Sequence, residues 1–374
     1  MKRNIRIIVY LMILIMVSNL ISCENTAGLS SQSSSEAESL LSSQSHAQLS
    51  SESSKPDISG KGDLWADKKL TIGVLGPGAE GTWRTVNIKD IMNKSKEWNI
   101  DMMFYDGQSK QELQIEQLEK LIEERVDVIG FMPVIRTGWD EILTKVKEAG
   151  IPLIFLDRYA DCSDESLWTS HIVNDWKKEG EMAGEWIIEY LGEQRKLDEE
   201  IKIVEIRGTD DAETAIDRGQ GFREAIKEKE NLKITILKCG DFTQVKGYGE
   251  MANILSETTD IDVLFCHNDD MALGAIEAIE EAGLVPGEDI IIISIMGTNA
   301  ALEAIVEGKI ACSVECNPFM GDLFMEACVR IANGEEIERE IHPVDRVFDI
   351  TNAQVELDAR EENGYGYCPI PPPA

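Results

Sequence analysis

The segment Ile151-Pro-Leu-Ile-Phe-Leu-Asp157-Arg158 limits the possible folds more than any other in the chain. It is an apolar run of strand length, entered through a proline, with no polar and apolar alternation. Such a strand must be covered on both faces, as in a parallel sheet between two layers of helices. The run stops abruptly in an acid and a base. In open α/β sheets ligands bind at the carboxyl ends of the strands. Asp157 and Arg158 are therefore candidate contacts, with a surface ion pair as the plain alternative.

From residue 70 onward the same pattern repeats. Strands are expected over 70–75, 101–105 and 126–132, ahead of the segment above. After Asp175 they are expected over 201–206, 233–237, 262–266, 290–295 and 309–315. Between them lie helical stripes: Ile115, Leu118, Leu121 and Ile122; Trp139, Ile142, Leu143 and Val146; Met182, Ala183, Trp186, Ile187 and Tyr190. Repeated βα order implies the doubly wound α/β class. Two successive sets of strands in 374 residues suggest two such domains.

The net charge of −33 argues against a nucleic-acid partner, which needs clustered Lys and Arg. It also disfavours docking on an anionic membrane surface.

Residues 1–22 read as a targeting segment. Lys2, Arg3 and Arg6 precede an apolar run over 7–17 that is short for a membrane span. Leu20-Ile21-Ser22-Cys23 resembles the bacterial lipobox, which implies lipidation of Cys23 as the mature N-terminus. An uncleaved anchor helix is the alternative. Either places the remainder outside the cytoplasm, tethered to a membrane. Residues 23–66 are rich in serine and read as a disordered linker.

Seven cysteines remain besides Cys23, so a complete disulfide framework is not available. Cys239, Cys266, Cys312 and Cys316 sit in or beside apolar runs and read as buried thiols. Cys162 and Cys368 lie in polar segments and could pair. No spacing suggests a metal site, and no cofactor motif is present.

Polar residues gather just past the strand ends: Glu80, Trp83 and Arg84; Asp106; Asp157 and Arg158; Asn174 and Asp175; Asn268, Asp269 and Asp270; Glu315. Arg218 joins them from a helix. Each has a plain reading alone, such as a helix cap for Asp269 or Asp270. Together they describe a polar cleft with an aromatic wall. Carboxylates accept from sugar hydroxyls, guanidinium forks donate in fixed geometry, and amides do both. A Trp face suits the C–H side of a sugar ring. Catalytic patterns are missing: there is no G-x-S-x-G, and Gly76-Pro-Gly-Ala-Glu-Gly lacks the Lys-Ser/Thr of a phosphate loop. The chain reads as a binder and not an enzyme.

At these residues the chain resembles the type I periplasmic sugar-binding proteins of ABC importers, and their galactofuranose-binding members most closely. The likeness is carried by Glu80-Gly-Thr-Trp-Arg84, Asp106-Gly-Gln108, Thr137-Gly-Trp139, Leu156-Asp-Arg158, Ala215-Ile-Asp-Arg218, Gly240-Asp-Phe-Thr243 and His267-Asn-Asp-Asp-Met271. The resemblance implies two lobes joined by three crossovers, over 70–173 with 316–345 and over 174–315 with 346–368. It implies ligand contacts from Glu80, Trp83, Arg84, Asp157 and Arg158 on the first lobe. Arg218 and Asn268 would serve on the second, with Glu315 at the hinge. Relatives usually carry Asp-Gly where this chain has Met296-Gly297, and a thioether is a weak acceptor. The implied function is capture of a monosaccharide by a monomer and its delivery to an ABC permease. A sensor kinase as the membrane partner is the alternative.

Overall fold

The computed structural model describes residues 69–78, 81–194 and 199–363. The targeting segment, Cys23, the serine-rich linker, Glu80 and Cys368 lie outside them.

The first group of strands is β1 (Thr71–Gly76), β2 (Asp101–Asp106), β3 (Val128–Phe131), β4 (Leu153–Leu156) and β5 (Ser170–Ile172). The second is β6 (Ile201–Arg207), β7 (Leu232–Cys239), β8 (Val263–Cys266), β9 (Ile291–Met296) and β10 (Cys312–Glu315). Two short strands, β11 (Glu340–Ile341) and β12 (Val347–Asp349), come last. The described strands form two sheets, ordered β11-β5-β4-β3-β1-β2 and β12-β10-β9-β8-β6-β7. All neighbours are parallel except β12, which runs antiparallel to β10. This is the doubly wound class expected from the sequence.

Helices cover both faces: α1 (Thr82–Glu97), α2 (Gln111–Glu124), α3 (Asp140–Glu148), α4 (Trp176–Glu193), α5 (Glu213–Ile226), α6 (Gln244–Glu257), α7 (Asp269–Glu281), α8 (Asn299–Val306), α9 (Gly321–Ala332) and α10 (Ala353–Asn363). The uninterrupted apolar strands feed two layers each. On β8, Val263 and Phe265 enter one cluster while Leu264 and Cys266 enter the other. On β3, Val128 and Ile129 divide in the same way. The stripe Trp139, Ile142, Leu143 and Val146 on and before α3 is wholly buried.

Three short strands and α10 escape a reading of the sequence. β5 is only Ser-His-Ile, and β11 and β12 lack a run long enough to show a period. They matter because they flank the crossovers. The chain leaves the first sheet after β5, returns from β10 to α9, and leaves again between β11 and β12. The cysteine expectation needs one correction. Cys266, Cys312 and Cys316 are buried free thiols, but Cys239 is only partly buried, because it ends the edge strand β7.

The second sheet is fastened by a polar group. Asp269, fully buried at the start of α7, accepts from Ser294 Oγ on β9 (2.6 Å) and Ser313 Oγ on β10 (2.8 Å). Its other oxygen accepts the Thr298 N–H ahead of α8 (2.7 Å). One carboxylate thus joins two strands and two helix starts. Asp269→Ala would strand three buried donors and should destabilise the fold by about 3 kcal/mol or more. Urea unfolding measures this, and an unchanged midpoint would contradict the account.

Candidate functional site

Asp157 ends β4 in a conformation that few residues adopt. Its φ is 58°, and the Arg158 N–H closes on Leu156 O at 2.7 Å, which makes a tight three-residue turn. Positive-φ turns of this kind are strained, and a short polar side chain tolerates them better than a branched one. Two further bonds hold the turn. The Asp157 N–H donates to Ile172 O on β5 (2.8 Å), and His171 Nε2 donates to Asp157 O (2.9 Å). Burial lowers the pKa of His171, which keeps its ring neutral. The turn aims the carboxylate at Arg84, and Oδ2 forms an ion pair with Nη2 of that buried guanidinium. Among the described residues, Asp157 Oδ1 receives no side-chain or backbone donor.

Arg218 is the counterpart on the second sheet. It is 2% exposed, on the second turn of α5. Its Nε donates to Glu179 Oε2 and its Nη1 to His267 O, each at 2.7 Å. Nη2 has no acceptor among the described residues. The pair depends on unusually close helices. A Cβ on Gly180 would lie 2.0 Å from Arg218 O, and one on Gly221 would lie 1.9 Å from Lys177 O. Only glycine lets α4 and α5 pack backbone to backbone, which brings Glu179 under Arg218. Burial raises the pKa of Glu179, opposed mainly by the charge of Arg218.

The remaining candidates divide. Arg158 is exposed. Trp83 donates its indole N–H to Cys316 O (2.8 Å), and its ring packs against core clusters of both sheets. Its polar edge is thus spent on a crossover, and its ring bridges the two cores. Asn268 caps α7: Oδ1 accepts the Met271 N–H, and Nδ2 donates to Phe242 O, both at 3.0 Å. The cap is therefore Asn268 and neither aspartate after it. Glu315 is fully buried, and both carboxylate oxygens are taken by Arg346, at 2.7 and 2.8 Å. The side chain forms an internal ion pair, because it turns toward the third crossover. Met296 is partly buried against the second sheet's core, with a φ of 135°.

Residues that sequence reasoning missed hold the crossovers together. Asp345, between β11 and β12, accepts from the Asn317 N–H (2.8 Å) and from Asn174 Nδ2 (3.2 Å) through one oxygen. Asn174 also donates to Asn317 O (3.1 Å). Each of the three comes from a different crossover. Glu179 carried a readable signal, since it precedes the buried Ala183 and Ile187 by four and eight residues. A carboxylate on an apolar stripe must have a buried partner. Asp345 carried no such signal.

The sequence profile of the periplasmic binding protein domain matches residues 72–336. The chain belongs to this family. Among its relatives is the galactofuranose-binding protein of Escherichia coli, 34% identical over 79% of this chain and 93% of that protein. A Mycobacterium smegmatis protein solved in complex with β-D-fucofuranose is 39% identical, with a TM-score of 0.66 over 79% of this chain and 96% of that one. The binding protein of the arabinose ABC transporter of Shewanella sp. ANA-3, bound to α- and β-L-arabinofuranose, is 34% identical with a TM-score of 0.68. It covers 79% of this chain and 97% of its own. The two parallel-dominated sheets of this periplasmic binding protein match the fold of those structures.

The crossover carboxylate gives a pH signature. Burial, followed by the charge of Glu179, raises Asp345 from the usual 3.8 to about 8. The folded chain then holds this proton more tightly than the unfolded chain. Its contribution to stability is full below about pH 4 and is lost as pH rises to about 8. Asp345→Asn should flatten that part of the thermal midpoint profile, since the amide oxygen can still accept from Asn317. A profile equally steep in the variant would refute the assignment.

Proposed function

We propose that this chain is an extracytoplasmic sugar-binding lipoprotein, anchored through Cys23, that captures a furanose and delivers it to an ABC permease. The two sheets with their helices act as lobes, 70–173 with 316–345 and 174–315 with 346–368, that close about the crossovers.

The observation that carries this reading is the charge balance of the cleft. Arg84 is neutralised by Asp157 and Arg218 by Glu179, yet polar atoms stay uncommitted among the described residues, Asp157 Oδ1 and Arg218 Nη2 among them. One is an acceptor on the first lobe, the other a donor on the second. A site for an anion would leave its guanidinium groups uncompensated. Neutral paired charges with spare hydrogen-bonding capacity suit hydroxyl groups, which both donate and accept. Three relatives named for furanoses or solved with them favour the five-membered ring. Arg84, Asp157, Arg158 and Arg218 are the proposed polar contacts, together with Glu80. Trp83 serves as the aromatic wall, and Asn268 and Glu315 shape the cleft from behind. No step of this task asks for a cofactor or for catalysis.

A monosaccharide has about a dozen heavy atoms, which places Kd on the order of micromolar at ordinary ligand efficiency. Calorimetric titration with galactofuranose, arabinofuranose, fucofuranose and the matching pyranoses tests the reading. One furanose should bind well ahead of its pyranose form, and silence across the panel would sink the proposal. Arg218→Ala should weaken binding by about 2–4 kcal/mol, and exposed Arg158→Ala by about 1 kcal/mol. Thermal midpoints should be read alongside, with Arg218→Lys as the milder variant. Met296→Asp restores the acceptor that relatives carry and should tighten galactofuranose binding. No gain would mean that the ligand lacks the hydroxyl this position serves.

A further inference from the structure

We propose that Arg136, Tyr159 and Glu213 form a latch that holds the two lobes closed across the cleft, apart from the ligand contacts themselves. The inference rests on the two-lobe reading above and adds residues that the site does not use.

Arg136 lies in the loop after β3 and Tyr159 in the loop after β4, so both belong to the first sheet. Glu213 opens α5 on the second. Arg136 Nη1 meets Glu213 Oε2 at 3.2 Å, and the Tyr159 hydroxyl donates to the same oxygen at 3.2 Å. The first-lobe half is assembled in advance. Arg136 Nη2 donates to the Tyr159 hydroxyl and to Asp161 Oδ1, each at 2.6 Å. Its guanidinium carbon lies 4.5 Å from the centre of the Tyr159 ring. The Asp161 N–H returns to Arg136 O at 2.7 Å. Asp161 fixes the fork, the ring supports it, and one edge projects toward the other lobe. Glu213 alone completes the contact from the second lobe.

The placement links the latch to the site. Tyr159 stands two residues after Asp157, and Glu213 stands five before Arg218 on one helix. When Glu213 docks, α5 comes toward the first lobe and carries Arg218 with it. The latch loops follow β3 and β4 in the middle of the first sheet and β6 toward the far edge of the second. All members of the latch belong to the chain, so its contribution does not depend on which sugar fills the cleft. The carboxylate and the guanidinium are both about half exposed, which limits the effect and makes it sensitive to salt.

The test uses the full chain without sugar. Spin labels attached through bio-orthogonal residues at Glu119 on α2 and Val245 on α6, both exposed, report the separation of the lobes by pulsed dipolar spectroscopy. Glu213→Gln should raise the ratio of open to closed forms by about three- to fivefold, with a shift to longer distances. Molar salt should move the wild type the same way, and Tyr159→Phe should fall between. Distance distributions unchanged by Glu213→Gln and by Glu213→Ala would overturn the latch. A response of the distances together with silence in the sugar titrations would keep the latch and remove the sugar reading. With a bound sugar, the variants should release it several-fold faster while keeping the wild-type order of preference among sugars.

Discussion

A single carboxylate oxygen sits where three passes of the chain meet. Asp345 Oδ1 accepts from the backbone of Asn317 and the side chain of Asn174, so one residue from each crossover joins the same small network. The geometry of the site follows from it. Cys316, one residue before Asn317, receives the indole of Trp83 and fixes the start of α1, where Arg84 begins its reach to Asp157. Glu179, whose charge is felt at Asp345, is the residue that holds Arg218. The first-lobe and second-lobe contacts are thus both referred to one point.

Burying so many charges is expensive, and an apolar core of equal volume would be more stable. What charge supplies here is direction. Glu315 engages Arg346 through both oxygens, and Arg346 reaches on to Glu356, which holds Arg360. Arg360 closes on Gly297 O, next to Met296. A chain of forks and carboxylates has few alternative geometries, whereas apolar contacts slide. This network ties the end of the second sheet to the last helix in one fixed geometry.

The sheets were legible because their strands are unbroken apolar runs with nowhere to go but between helix layers. β5, β11 and β12 were not, since two or three residues cannot display a period, and pairing with neighbours decides their state. Arg84, Asp157 and Arg218 were legible as charges placed where apolar strands or their partner helices end. The internal partners of Asn268 and Glu315 were not legible, because position along a strand does not say which way a side chain turns. Asn268 points into the first turn of its helix, and Glu315 points to an arginine thirty-one residues later in the chain. Asp345 was beyond reach, because a lone acid in a polar stretch becomes special only when two other crossovers arrive beside it.

The division of labour between these groups bears on specificity. In the proposed site, the atoms committed within the protein would set the shape of the cleft, and the uncommitted ones would select the ligand. Asp157 Oδ1 and Arg218 Nη2 lie on opposite lobes, so only a ligand with polar groups on two sides can satisfy both. The family resemblance of the sequence implies an aspartate where Met296 stands. Exchanging that acceptor for a thioether removes hydrogen bonding at one edge of the ring while keeping bulk, and the backbone there is already strained at a φ of 135°. A ligand with a hydroxyl facing Met296 would lose its partner, and one with a hydrogen or methyl there would lose nothing. Under the proposed function, the substitution would favour a deoxygenated or shorter sugar at that edge.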